Sequence, residues 1–137
     1  MSTRTGLIGE YIAAAAILEM DGWQVSMAQQ DLVDLVAWKD GQFLTVQVRT
    51  ATLRQQKKRS KPGYHFQLGF GSAMKVTKRG SYDILACCAA THRKVWFQAQ
   101  CCVNQLSMRK TSAFFEQPDI EGESWDRAVQ IVMESRR

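Results

Sequence analysis

Four polar side chains stand in stretches that are otherwise apolar: Glu10 in "GLIGEYIAAAAIL", Asp34 in "DLVAW", and Gln47 and Arg49 in "FLTVQVRTA". Glu10 shares a helical stripe with Ala13, Ala14 and Ile17, which places its carboxylate at the end of a buried face. An ionised carboxylate taken out of water needs a partner, either a cation or a metal. By contrast, Glu19 and Asp21 read as surface charges at a helix end.

The elements that hold these groups can be read from the same stretches. Leu32 to Trp38 and Gln42 to Thr50 are predicted strands joined at Lys39-Asp40-Gly41. A two-residue loop at Asp40-Gly41 pairs Lys39 with Gln42 and sets Asp34 opposite Gln47. Strand alternation then puts Arg49 on the face of Gln47, with Val46 and Val48 on the other. Three polar groups converge on one end of the hairpin. A three-residue loop shifts the register by one and sets Val46 opposite Asp34 instead.

Thr5 to Asp21 is the strongest predicted helix, and because it is apolar on nearly all sides it is expected to be buried against a sheet. Trp23 to Met27 reads as a short extended piece, Arg54 to Pro62 as a basic loop and Tyr64 to Leu68 as a strand. Tyr82 to Ala90 reads as a buried strand that turns at Thr91-His92-Arg93 into Lys94 to Gln98. Trp125 to Arg136 reads as a terminal amphipathic helix with Trp125, Val129 and Val132 on one side. This order predicts an α/β fold, a mixed central sheet flanked by helices, in one domain over 1–137.

Charge points to the partner. The net charge is +5, and between Gly41 and Tyr82 there is no Asp or Glu while nine Lys and Arg residues fall there. Arg54, Lys57, Lys58, Arg59, Lys61, Lys75, Lys78 and Arg79 are the candidate phosphate contacts in that block. Such a field suits a polyanion, and double-stranded DNA is the expected partner; the alternative is a solvated basic loop. No apolar run is long enough to cross a bilayer and no signal-peptide pattern precedes the Ala-rich stretch, so a cytoplasmic protein without membrane contact is expected. Cys87-Cys88 and Cys101-Cys102 are adjacent pairs, a spacing that suits neither a zinc site nor a disulfide framework, and buried free thiols are expected for Cys87 and Cys88.

A helix carrying "GE", then an Asp thirteen positions before a Gln-x-Arg triplet on the next strand, resembles the PD-(D/E)XK nuclease superfamily. "FLTVQVRTA" is similar to the QxK-type branch that includes small homing endonucleases of group I introns, and the spacing also resembles archaeal Holliday-junction resolvases. "SYDILACCAATHRKVWFQ" looks like the strand and hairpin that continue this fold. The resemblance covers about 5–100, the expected restriction-endonuclease-like core, and leaves about 101–137 as a C-terminal helical region.

The resemblance implies a metal-dependent DNA endonuclease that uses Mg²⁺ (or Mn²⁺). Asp34 matches the family's metal-binding aspartate, Gln47 stands where most members have Glu or Asp, Arg49 replaces the usual lysine, and Glu10 matches the helix-borne acid. Phosphodiester hydrolysis needs a metal on the phosphoryl oxygen, a nearby water and positive charge for the developing oxyanion. Arg49 can supply that charge but cannot deprotonate, so it is no general base, and Gln47 removes one negative charge from the metal site. A nuclease-fold protein that binds DNA without cutting, and a plain Asp34–Arg49 ion pair in an unrelated domain, are the alternatives. A homing role favours a homodimer or higher homo-oligomer, with one active site per strand.

Other motifs carry less. His65 and His92 are isolated and read as surface or strand-end residues. "GFGSAMK" lacks the spacing of a phosphate loop, and Trp38, Trp96 and Trp125 read as core or interface aromatics.

Overall fold

Asp40 and Gly41 both take positive φ, 51° and 78°, which is the backbone of a two-residue hairpin loop whose twist matches the flanking strands. The computed structural model describes residues 3–30, 32–55, 61–69 and 80–137; Lys57, Lys58, Arg59, Lys75, Lys78 and Arg79 lie outside them. The loop joins β2 (Leu35–Lys39) to β3 (Gln42–Ala51) with Lys39 paired to Gln42 and Leu35 to Val46, the register expected of it.

Around this hairpin the chain builds a mixed five-stranded sheet in the order β1 (Gln24–Met27), β2, β3, β5 (Ile84–Ala89), β6 (Lys94–Ala99). The β3–β5 pair is parallel and the others are antiparallel. β4 (Gly63–Gln67) lies in the crossover between β3 and β5 and pairs instead with β7 (Ser107–Thr111) in a second, two-stranded sheet.

Alternation along the strands sorts the two cores. Leu35, Ala37, Leu44, Val46 and Val48 face α1 (Thr3–Leu18) and α3 (Ile120–Ser135), where Ala13, Ile17, Trp125 and Ala128 complete the larger cluster. Ala51, Leu85, Cys87 and Ala89 face the other way, onto Tyr64 and Phe66 of β4 and Phe115 of α2 (Ser112–Phe115). Cys87 and Cys88 thus enter opposite clusters, both as buried free thiols, while Cys101 and Cys102 are exposed and in no disulfide. The outer edge of β6 is closed by α3: Glu121 Oε2 accepts from Val95 N–H at 3.0 Å and Ser124 Oγ from Phe97 N–H at 3.0 Å.

Two expectations change. α1 buries only the face of Gly9, Ala13, Ala16 and Ile17, and Leu7, Ile8, Tyr11 and Leu18 are exposed. An all-apolar composition does not bury every side of a helix that has a sheet on one side alone. The region after residue 100 holds the strand β7 as well as helices; "SMRKT" has little apolar alternation, and its partner β4 is remote in sequence. No helix of the described residues is long and apolar enough to cross a membrane.

Candidate active site

The close approach of α1 to β3 starts the site. A Cβ at Gly9 would collide with the Thr50 side chain, so only glycine lets the helix lie directly on the C-terminal half of β3. The next residue, Glu10, is therefore half-buried at that end of the sheet.

β3 outruns β2. The β2–β3 ladder stops at Leu35–Val46, while β3 continues to Ala51 against β5 alone. Asp34 stands just before β2 rather than in the ladder opposite Gln47: its N–H donates to Val46 O at 2.9 Å. Its Oδ2 accepts from Val48 N–H at 2.7 Å, a donor left without a strand partner because β2 has ended. Gln47 lies between these two contacts.

Glu10 and Asp34 share one electrostatic environment. The pKa of Glu10 is raised, first by burial and then by the charge of Asp34. Burial also raises the pKa of Asp34, against the lowering pull of the Val48 N–H and the Arg49 guanidinium. Each carboxylate is costly to ionise there, and a bound cation relieves both. Among the described residues, His92 pairs with Glu116 and Arg136 with Asp83, and neither bridge joins Asp34 to Arg49.

Gln47 and Arg49 share the opposite sheet face, beside Leu85 and Cys87 of β5. Gln47 is 4% exposed, and among the described residues its Oε1 has no hydrogen-bond partner. Arg49 donates from Nη2 to Gly69 O at 3.1 Å, while its buried Nε has no partner among the described residues. An orphaned acceptor and an orphaned donor thus stand two residues apart at the open end of one strand. The acceptor fits a cation and the donor an anion.

Among the described residues no three His, Cys, Asp or Glu side chains gather as a ready metal cage. Glu10 and Asp34 are the two acids whose charges interact, while Gln47 stands on the sheet face away from α1. By donor type, carboxylates and an amide oxygen suit Mg²⁺, which commonly takes one or two protein carboxylates and leaves its remaining positions to water and phosphate.

Arg49 also lines a cavity of about 430 Å³ together with Thr52, Arg54, His65 and Gln67. Of the expected phosphate contacts, Arg54 and Lys61 are described and exposed, and Arg54 stands at this cavity. His65 is the residue sequence reasoning passed over; its position became visible only when β4 was placed beside the end of β3. A larger cavity, about 480 Å³ between β6 and α3, has Gln98, Gln117, Glu123, Ser124 and Arg127 in its lining and, among the described residues, no pair of carboxylates.

The fold is similar to that of I-Ssp6803I, a bacterial homing endonuclease, with a TM-score of 0.66 over 98% of this chain and 96% of that one at 20% identity. No family model matches the sequence, and no match to a curated protein was found.

Proposed function

We propose that this protein is a metal-dependent DNA endonuclease of the homing type, working as one nuclease-like domain. The observation that carries the reading is the polarity of the open end of β3. Glu10, Asp34 and the orphaned Gln47 Oε1 are acceptors, and the orphaned Arg49 Nε is a donor on the same strand. A fold like that of a bacterial homing endonuclease supports it.

In this reading Asp34, Gln47 and Glu10 hold Mg²⁺ or Mn²⁺. Such an ion, when bound, polarises the phosphoryl oxygen and lowers the pKa of a coordinated water. The Val48 N–H fixes the Asp34 carboxylate, and Gly69 O fixes the Arg49 guanidinium. Arg49 binds the phosphate and offsets the charge that grows on it; it moves no proton. The basic block from Arg49 to Arg79 supplies the charge that draws the duplex.

The exposed apolar stripe of Leu7, Ile8, Tyr11 and Leu18 on α1 supports a homo-oligomer, which brings one centre to each DNA strand. Supercoiled plasmid incubated with the protein and Mg²⁺ tests the function. Nicking or linearisation that stops with chelator is expected. Binding without any cutting, with Mg²⁺ or Mn²⁺, assigns the chain to DNA binding alone, and preference for four-way junctions over plasmid assigns it to junction resolution.

A further inference from the structure

The cavity beside Arg49 contains a second orphaned group that the metal chemistry does not use. Among the described residues His65 Nε2 is buried without a hydrogen-bond partner, as Arg49 Nε is, and the two residues line the cavity from different strands, β4 and β3. Arg54 adds a second guanidinium to the same lining, Thr50, Thr52 and Gln67 add groups that can donate or accept, and among the described residues no Asp or Glu belongs to it. Arg Nε is only ever a donor, and a histidine Nε2 that carries its proton is one too.

Two guanidinium groups with no carboxylate among the described lining residues define the ligand: it brings oxygens that accept from several directions, and it is negatively charged. A phosphodiester does both, since its two free oxygens accept charge-assisted hydrogen bonds at once. The cavity volume lies within the ~300–1,000 Å³ usual for ligand sites, so it has room for a sugar as well as a phosphate.

We propose that this cavity seats a backbone phosphate of the DNA next to the reacting one, and that His65 binds it. This rests on the nuclease reading for the identity of the phosphate. With Arg49 Nη2 bonded to Gly69 O, Nε serves this seat and Nη1 is left for the reacting phosphate, so Arg49 spans the two. His65 then sets where along the strand the cut falls, as a binding residue outside the metal site.

The test uses the full chain with His65→Ala and His65→Gln. Nicking kinetics, duplex affinity in chelator and melting temperature are measured on each. Side-chain ¹⁵N NMR of the wild-type imidazoles is recorded with inorganic phosphate and with a short duplex. His65→Ala is expected to weaken duplex binding and raise KM about tenfold, the value of one good hydrogen bond, with kcat little changed. His65→Gln restores most of the loss because its amide donates, and neither melting temperature moves. The His65 Nε2 signal shifts with duplex at concentrations where inorganic phosphate has no effect.

A His65→Ala enzyme with wild-type KM, or a His65 signal indifferent to duplex, overturns the proposal. A signal that answers inorganic phosphate but not duplex also overturns it, and makes the cavity a free-anion site. If His65→Ala does not fold, the NMR titration of the wild-type chain still decides. Wild-type protein whose His65 signal answers duplex but which never nicks sustains the phosphate seat while removing the nuclease reading.

Discussion

Asp34 and Asp83 use the same device on the same strand and reach opposite results. Each carboxylate accepts a backbone N–H of β3 through Oδ2, Asp34 from Val48 at 2.7 Å and Asp83 from Thr45 at 2.8 Å. The two donors lie on opposite flanks of the strand, toward β2 and toward β5. Asp83 is then closed off: Thr45 Oγ1 lies at 3.1 Å and Arg136 Nη2 at 3.1 Å from the same oxygen. Among the described residues Asp34 has no such closure. Its charge raises the pKa of a second carboxylate, Glu10, and the Arg49 guanidinium pulls its own down without forming an ion pair. A satisfied polar cluster holds elements together, whereas one left unsatisfied at a strand end is held for a ligand.

Replacing each aspartate in turn should separate these roles. Asp34→Asn keeps an oxygen for Val48 N–H but removes the charge, so fold and duplex binding are expected to survive. Nicking should fall by more than ~100-fold, since loss of metal help costs several kcal/mol of barrier and each ~1.4 kcal/mol is tenfold. Plasmid nicking and melting temperature on one sample check this. Wild-type nicking sinks the metal assignment, and a collapsed melting temperature makes Asp34 a structural residue like Asp83.

The converse substitution, Asp83→Ala, strands the Thr45 N–H and frees Arg136 of the C-terminal turn. It is expected to destabilise the fold by roughly 1–3 kcal/mol, the cost of orphaning a buried donor. Chemical denaturation measures that loss, and the protein that remains folded should nick at the wild-type rate. Lost nicking in fully folded Asp83→Ala would erase the distinction between the two aspartates.

Gln47→Glu sharpens the comparison from the other side. It adds a carboxylate at the strand end where Glu10 and Asp34 already have raised pKa values, so in the proposed reading the metal-free protein should be less stable and the metal tighter bound. The Mn²⁺ concentration giving half-maximal nicking is expected to fall about tenfold, an effect near 1.4 kcal/mol. Titration of the melting temperature with Mn²⁺ should show a larger rise than in wild type. Equal metal dependence in both proteins would place Gln47 Oε1 away from the ion.

Sequence carried most of the scaffold, because the Asp40-Gly41 turn and the alternation of Leu44, Val46 and Val48 decide the hairpin register without help from remote contacts. The placement of Gln47 and Arg49 on one face of β3 followed from that alternation. What sequence could not convey was the step out of it: Asp34 leaves the ladder since β2 ends early, and that end depends on packing. His65 stayed isolated for the same reason, its cavity existing only once β4 crosses beside β3. The exposed stripe on α1 was hidden by composition, which records that Leu7, Ile8 and Tyr11 are apolar but not which side the sheet occupies.

The smallest effect, and the subtlest difference from a closed cluster, is the response to pH. Burial and mutual charge raise the pKa of Glu10, and burial raises that of Asp34. The native state therefore binds protons here at pH values where the unfolded chain has already released them. By linkage, these groups make metal-free stability fall as pH rises through the raised values, and the full penalty is present above them. Asp34→Asn removes its share, so its melting temperature should exceed that of wild type near neutral pH, and the gap should close as pH falls through the Asp34 range. Nicking has the opposite sign: it needs the ionised carboxylates and should decline on acidification from above the ordinary carboxylate range. Melting curves of both proteins in chelator, across a pH series, check the first trend, and nicking rates at saturating Mg²⁺ check the second. A wild-type protein that melts above Asp34→Asn at neutral pH would mean that the Asp34 charge is compensated within the fold, as that of Asp83 is by Arg136.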